Sequence, residues 1–230
     1  MKVHSIFKSI NGEVNRFHQG SVCTFIRLAG CNLWLEKNCC VWCDTKKAQN
    51  PAEGKVMFVE DIIKEVVNFR CCTITITGGE PLLQKEALIY FLIPSLRNIL
   101  FPGWCKAFKT RISIETNGTI KIPKVSGVSW VADWKLPGSG VSSFMKEENF
   151  YNLGENDFIK FVVSSYEDYQ EAKDIIVRIQ DIFFVREKRL PQFAFSPVEG
   201  FCKKKLAERM IEDDLEAIFN IQLHKILGVD

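Results

Sequence analysis

VCTFIRLAGCNLWLEKNCCVWCDT, residues 22–45, runs from a short apolar segment straight into a loop that carries Cys31, Cys39, Cys40 and Cys43. Residues 22–28 are rich in β-branched and aromatic side chains on both faces, the pattern of a strand buried in a parallel sheet. Five more segments share that pattern: CTITIT (72–77), RISIET (111–116), VSWVADW (128–134), FIKFVV (158–163) and QFAFS (192–196). Helical periodicity lies between them, in 58–69, 82–96, 166–183 and 203–219. The stretch 117–127 is too short for a full helix. Strands alternating with helices predict an α/β protein, a partial parallel β/α barrel of about six strands or its open equivalent. Ligands in such folds sit at the carboxyl ends of the strands. The unusual residues fall there: the cysteine loop after the first strand, TGGEP after the second, ETNG after the third and DWKLPGSG after the fourth.

The bulk composition agrees. A chain of 230 residues, 47% hydrophobic and 25% charged, has material for one full core and reads as a single domain over 1–230. A net charge of +2 gives no reason to expect nucleic-acid binding. The first residues carry no secretory pattern. The longest apolar run, ALIYFLI (87–93), is too short to span a bilayer. A cytoplasmic location is expected. Nine cysteines, clustered, then argue for metal binding or catalysis rather than disulfides.

Three readings of the loop are open: a closed four-thiolate zinc site, an iron–sulfur cluster, or incidental thiols. Adjacent Cys39 and Cys40 point in different directions, which makes a zinc tetrahedron from both awkward. Cys31, Cys40 and Cys43 make the better ligand set, with Cys39 spare. Three thiolates on a four-iron cluster leave one iron open, and an open site is what catalysis needs. In TGGEP (77–81), Gly78 and Gly79 permit a sharp turn and close approach to a ligand, with amides and carbonyl edges free to bind it. Glu80 can accept from an ammonium group.

A first cysteine, a spacer and then CVWC (40–43), placed after a first strand and followed by GGEP, resembles the radical S-adenosylmethionine (SAM) superfamily. The first spacer is eight residues rather than the usual three. Across the chain, SIFKSINGE, FIRLAGCNLW, WCDT, TGGEPLLQ, ETNGT, KFVVSS and QLHKILG resemble, in that order, the 7-carboxy-7-deazaguanine synthase family. The resemblance implies a lyase of queuosine and other deazapurine pathways. Such enzymes rearrange 6-carboxy-5,6,7,8-tetrahydropterin to 7-carboxy-7-deazaguanine and release ammonia. They use a 4Fe-4S cluster, SAM and Mg²⁺, and a radical derived from SAM rather than a side-chain acid or base. It also implies a flavodoxin- or ferredoxin-like electron donor and a homodimer.

Residue by residue, the resemblance puts the cluster on Cys31, Cys40 and Cys43, and Mg²⁺ on Thr45. SAM falls to Gly78, Gly79, Glu80, Asp133, Lys135 and Ser196. Substrate falls to Ile10, Asn11, Gly12, Glu13, Arg27, Thr77, Glu115 and His224. Asn11 stands where the family usually has Gln, and Ser196 replaces a Gln near the adenine. Arg27 also speaks for itself: a charge in an apolar strand needs a partner, and its fork suits a carboxylate. Cys23, Cys71, Cys72, Cys105 and Cys202 have no such setting and read as small buried hydrophobes. Two rivals remain at this stage: a radical SAM activating enzyme that acts on a partner protein, and a zinc-stabilised binding module without catalysis.

Overall fold

The computed structural model describes residues 1–101 and 109–229. Among them, nine strands form one sheet in the order β3-β1-β2-β4-β5-β6-β7-β8-β9. The six predicted strands are its contiguous parallel body: β2 (Val22–Leu28), β4 (Thr73–Gly78), β5 (Arg111–Thr116), β6 (Val128–Trp134), β7 (Phe158–Val163) and β8 (Gln192–Pro197). Their side chains are buried on both faces; Ile74, Ile76, Ile112, Ile114, Ile159 and Phe161 have no exposed surface. That is why they read as apolar runs.

Three strands were not expected. β1 (Lys2–Ile10) pairs antiparallel with β2 and with the two-residue β3 (Lys55–Val56). β9 (Ile218–Phe219) adds in parallel to β8, at the opposite edge from β3. The helices are α1 (Asn32–Leu35), α2 (Val59–Asn68), α3 (Ile93–Arg97), α4 (Tyr166–Val185), α5 (Lys203–Glu212) and α6 (Leu223–Leu227). No helix joins β5 to β6, as the short connection predicts.

α4 follows its sequence closely. Ser165 caps it by accepting from the Asp168 amide at 3.1 Å. Tyr169, Ala172, Ile176, Ile179 and Phe183 form its buried face. Truncating Phe183 to Ala there costs about 3–5 kcal/mol. Two helical expectations need correction. Residues 82–96 are helical throughout but not one regular α-helix: Pro81–Gln84 is a 3₁₀ turn, Ala87–Leu92 is π-helical and Ile93–Arg97 is α. Pro94 has no amide to donate one turn back, so the regular ladder is broken there. The helix predicted over 203–219 ends at Glu212, because Asp214 takes a left-handed conformation (φ 47°) and the chain turns into β9. Cys23, Cys71 and Cys72 are buried as expected, but Cys202 is exposed at the head of α5; Cys105 lies outside the described residues. Among the described residues, no helix is long and apolar enough to cross a membrane.

Candidate active site

The carboxyl ends of β2 and β4 to β8 open into a cavity of about 460 Å³. Its floor is built by backbone packing between two loops. The Gly79 amide donates to the Leu28 carbonyl (3.1 Å) and the Glu80 amide to the Gly30 carbonyl (2.7 Å). Gly30 and Cys31 in turn donate to the carbonyls of Ala48 and Gln49, at 2.8 and 2.9 Å. A Cβ on Gly78, whose φ is 138°, would collide with the Leu28 carbonyl, and one on Gly79 with the Gly30 carbonyl. The two glycines are therefore required by the approach of the cysteine loop. Their role differs from the expectation in one respect: the Gly79 amide is already engaged, which leaves the carbonyl edge.

Cys31, Cys40 and Cys43 all line this cavity. Burial pushes the Cys31 thiol up, and likewise Cys40, where Lys135 opposes the effect. Cys39 also reaches the rim but is exposed, its thiol 3.7 Å from Gln49 Oε1. Among the described residues, no three His, Cys, Asp or Glu side chains converge closely enough for a single metal ion. A cluster makes a different demand. Each thiolate takes its own iron, so sulfurs that stand apart around one cavity are the donor set it needs.

Glu13, from the loop after β1, pairs with Lys160 of β7 and accepts from Gln222 Nε2 at 2.7 Å. Lys160 also reaches Asp133 Oδ1 (3.0 Å), its register neighbour on β6, and Lys135 closes on Asp133 Oδ2 at 2.7 Å. Burial alone would raise the Asp133 carboxyl, but Lys135 and Lys160 hold it below its ordinary value. Glu115 lies beside this chain of charges and accepts from Thr77 Oγ1 at 2.7 Å. Burial, then the neighbouring Glu13, push it up to about 7.

Arg27 stacks its guanidinium 4.9 Å from the Phe7 ring centroid and has a buried Nε with no hydrogen-bond partner. It faces the cavity, as do Ile10, Gly12, Thr45, Ser196 and His224. Gly12 and His224 touch: a Cβ at 12 would occupy the imidazole position. Burial lowers the pKa of His224 and favours the neutral ring. Thr45 Oγ1 donates to Asp44 Oδ1 at 3.0 Å. Burial raises Asp44, but Lys225, Thr45 and Lys160 outweigh it and bring the carboxyl to about 2.

Two expected site residues do not reach the cavity. Asn11 is buried beneath it; its Nδ2 donates to the His18 carbonyl at 3.3 Å and its Oδ1 has no partner. Glu80 is fully buried and turned inward, accepting from Leu82 N (2.8 Å), Asn117 N (2.7 Å) and Thr116 Oγ1 (2.9 and 3.0 Å). These bonds tie the turn after β4 to the end of β5. Burial raises its carboxyl to about 7. Conversely, Lys160, Gln222 and Asp44 were missed. Lys160 had a signal, being a lone charge in the apolar FIKFVV, the same argument that singled out Arg27.

Known proteins resemble this chain in sequence and in fold. Residues 26–126 match the radical SAM superfamily. A 7-carboxy-7-deazaguanine synthase of Clostridium acetobutylicum is 34% identical over 233 residues, covering 98% of this chain and 95% of that protein. Another, from Methanospirillum hungatei JF-1, is 31% identical over 230 residues, covering 100% of this chain and 86% of that protein. The crystal structure of QueE from Escherichia coli has the same fold, with a TM-score of 0.72 at 18% identity over 97% of this chain and 94% of that one. Together with cavity-lining thiols on the loop after β2, these likenesses identify the chain as a radical SAM enzyme that belongs to the 7-carboxy-7-deazaguanine synthase family.

Proposed function

We propose that this chain converts 6-carboxy-5,6,7,8-tetrahydropterin to 7-carboxy-7-deazaguanine with release of ammonia. The observation that carries the substrate assignment is Arg27. A guanidinium stacked on Phe7 and lining the cavity presents a planar fork whose geometry suits an anion. A pterin carboxylate supplies one. Glu13 is oriented from two sides by Lys160 and Gln222. That leaves it able to accept from the N–H edge of a pterin ring. The Thr77–Glu115 pair and neutral His224 supply further polar contacts within the same cavity.

Cys31, Cys40 and Cys43 would hold the 4Fe-4S cluster. The Gly78–Gly79 edge, Asp133, Lys135 and Ser196 would hold SAM, and Thr45 Mg²⁺ together with substrate oxygens. When bound, these groups supply the radical chemistry and the electrostatic hold on the carboxylate. The chain's own work is to orient the two reactants and to keep water out. Gln222 and Lys225 contribute by bridging the α6 end of the chain to Asp44, at 3.1 and 3.4 Å. The reading extends to one radical SAM domain over 1–230, a flavodoxin- or ferredoxin-like reductant, a homodimer and a cytoplasmic location, each carried by the family resemblance.

The test is an anaerobic assay of the iron-reconstituted protein with SAM, Mg²⁺, reductant and 6-carboxytetrahydropterin. SAM-dependent appearance of 7-carboxy-7-deazaguanine by mass spectrometry is expected. Formation of 5′-deoxyadenosine without that product would leave the radical SAM assignment standing and sink the substrate.

A further inference from the structure

Asp168 lies in the first turn of α4, three residues after the Ser165 cap. A Ser-x-x-acid pair at a helix start normally closes on itself, the serine taking the acid's amide and the acid reaching back to the cap amide. Half of that closure is present, from the Asp168 amide to Ser165 Oγ. The carboxylate does something else. Its Oδ2 accepts from the Ser164 amide (3.0 Å) and hydroxyl (2.5 Å), and its Oδ1 accepts from the amide of Gly138 at 2.9 Å. The residue is almost fully buried, so these donors are what compensate the charge.

Gly138 belongs to the loop after β6, three residues beyond Lys135. That loop carries the cysteine loop on its other side. The Ser139 carbonyl accepts from the Val41 amide at 3.1 Å. A Cβ on Gly138 would stand 3.0 Å from the Trp42 ring. Val141 packs in one apolar cluster with Cys31 and Leu33, and Cys40 rests against it. Thus a carboxylate on a helix grips a loop that in turn grips the CVWC segment between two of its cysteines.

We propose that Asp168 is a positioning residue for the cysteine loop. By anchoring residues 136–141 through Gly138, it sets where Val41 and Trp42 sit, and hence how Cys40 and Cys43 are presented to Lys135 and the cavity. A carboxylate serving only to cap α4 would not need the amide of a remote loop. The functional consequence of this positioning rests on the radical SAM reading of the loop; the positioning itself does not.

Hydrogen exchange on the full-length chain, iron-free and reconstituted, is the test, read by mass spectrometry at the Val41 amide. Asp168→Ala is expected to accelerate that exchange roughly tenfold, the loss of one hydrogen bond to a charged acceptor. Ser165→Ala removes the cap alone and leaves Val41 unchanged. Asp168→Asn keeps one oxygen, which can serve Gly138 only by turning its NH2 group onto the Ser164 amide, so it restores part of the protection and falls between wild type and Asp168→Ala. In the reconstituted enzyme, Asp168→Ala raises the KM for SAM and speeds loss of the cluster, while the KM for the pterin stays put. Equal acceleration by Asp168→Ala and Ser165→Ala, or none by either, would overturn the proposal and leave a helix cap. Should Asp168→Ala not fold, Gly138→Ala attacks the link from the other side, since its Cβ would press on Ser164 Oγ and stand 2.5 Å from Asp168 Oδ2. Val41 must then exchange faster, and Ser164→Ala in that background must slow it again; an unchanged Val41 amide refutes the proposal. A protected Val41 pattern that behaves as stated in an enzyme making no deazaguanine would sink the lyase reading and keep the positioning.

Discussion

Substituting Lys160 by Met tests whether the charges around the cavity form one desolvated network. Lys160 touches Glu13 and Asp133 and faces Glu115, and its side chain is 10% exposed against 14% for Glu13 and 20% for Asp133. All three carboxylates lose their shared cation in the variant, with Lys135 left to hold Asp133. Removing one partner of a buried pair costs about 3–5 kcal/mol, because the partner charge is stranded. The deficit must also depend on pH. Without Lys160, one of the charges that hold it down, the folded-state pKa of Glu115 rises further. A carboxyl raised above its unfolded value contributes stability that is present below that value, 4.5 for Glu, and lost as pH climbs through the folded one. The variant therefore sits closest to wild type near about pH 5 and falls furthest behind near about pH 8. Urea denaturation at several pH values measures this directly. Glu13→Gln in the same chain removes one stranded charge and should return about 1–3 kcal/mol at the higher pH. A pH-independent deficit, or one below about 1 kcal/mol, would mean that these are solvent-screened surface pairs and that the network reading is wrong.

Three further outcomes follow from the same geometry. Arg27→Lys loses the bidentate fork, and kcat/KM for the pterin should fall roughly ten- to a hundredfold with the KM for SAM unchanged; equal loss for both would place Arg27 elsewhere in the mechanism. Cys40→Ala should abolish iron and sulfide binding on reconstitution, whereas Cys39→Ala should keep a full complement; the reverse would exchange their roles. Glu80, raised from 4.5 to about 7, makes the wild type lose stability across that interval, on the order of 3 kcal/mol by linkage. Glu80→Gln should flatten that part of the pH–stability curve, and an unaltered slope would show that the hydrogen bonds from Leu82, Asn117 and Thr116 keep the carboxylate ionised.

What could be read from residues alone divides by how each residue gets its partner. The six parallel strands were legible because burial on both faces forces short continuous apolar runs, and their β-branched and aromatic content and turn-forming flanks separate them from a buried helical run such as ALIYFLI. β1 escaped notice for the opposite reason: its residues are mostly half-exposed, and it is specified by pairing with β2 rather than by its own pattern. The cysteine loop and TGGEP were legible because thiol clusters and paired glycines are rare enough to imply chemistry. The roles of Asn11 and Glu80 were not, since motif spacing places a residue on an element but does not say which way its side chain turns. Glu80 faces inward because three donors meet it there, one from its own turn and two from the end of β5.

One wall of the cavity is held together by contacts that no local pattern encodes. Gln222 joins Glu13 and Asp44 across most of the chain's length, and Asn220 Oδ1 accepts from the Val14 amide at 2.8 Å while its Nδ2 reaches Ser196 at 3.0 Å. The loop that follows β1 and the segment that precedes α6 thus hold each other, with Leu223 N on the Gly12 carbonyl at 2.8 Å and His224 against Gly12. The cysteine loop is tied in through Asp44, which accepts from Gln222 Nε2 at 3.1 Å and pairs with Lys225 at 3.4 Å. Those two contacts are exposed and individually weak, whereas the strand ends beneath them are buried, so the seam owes its hold to the sum of many small contacts rather than to any one of them.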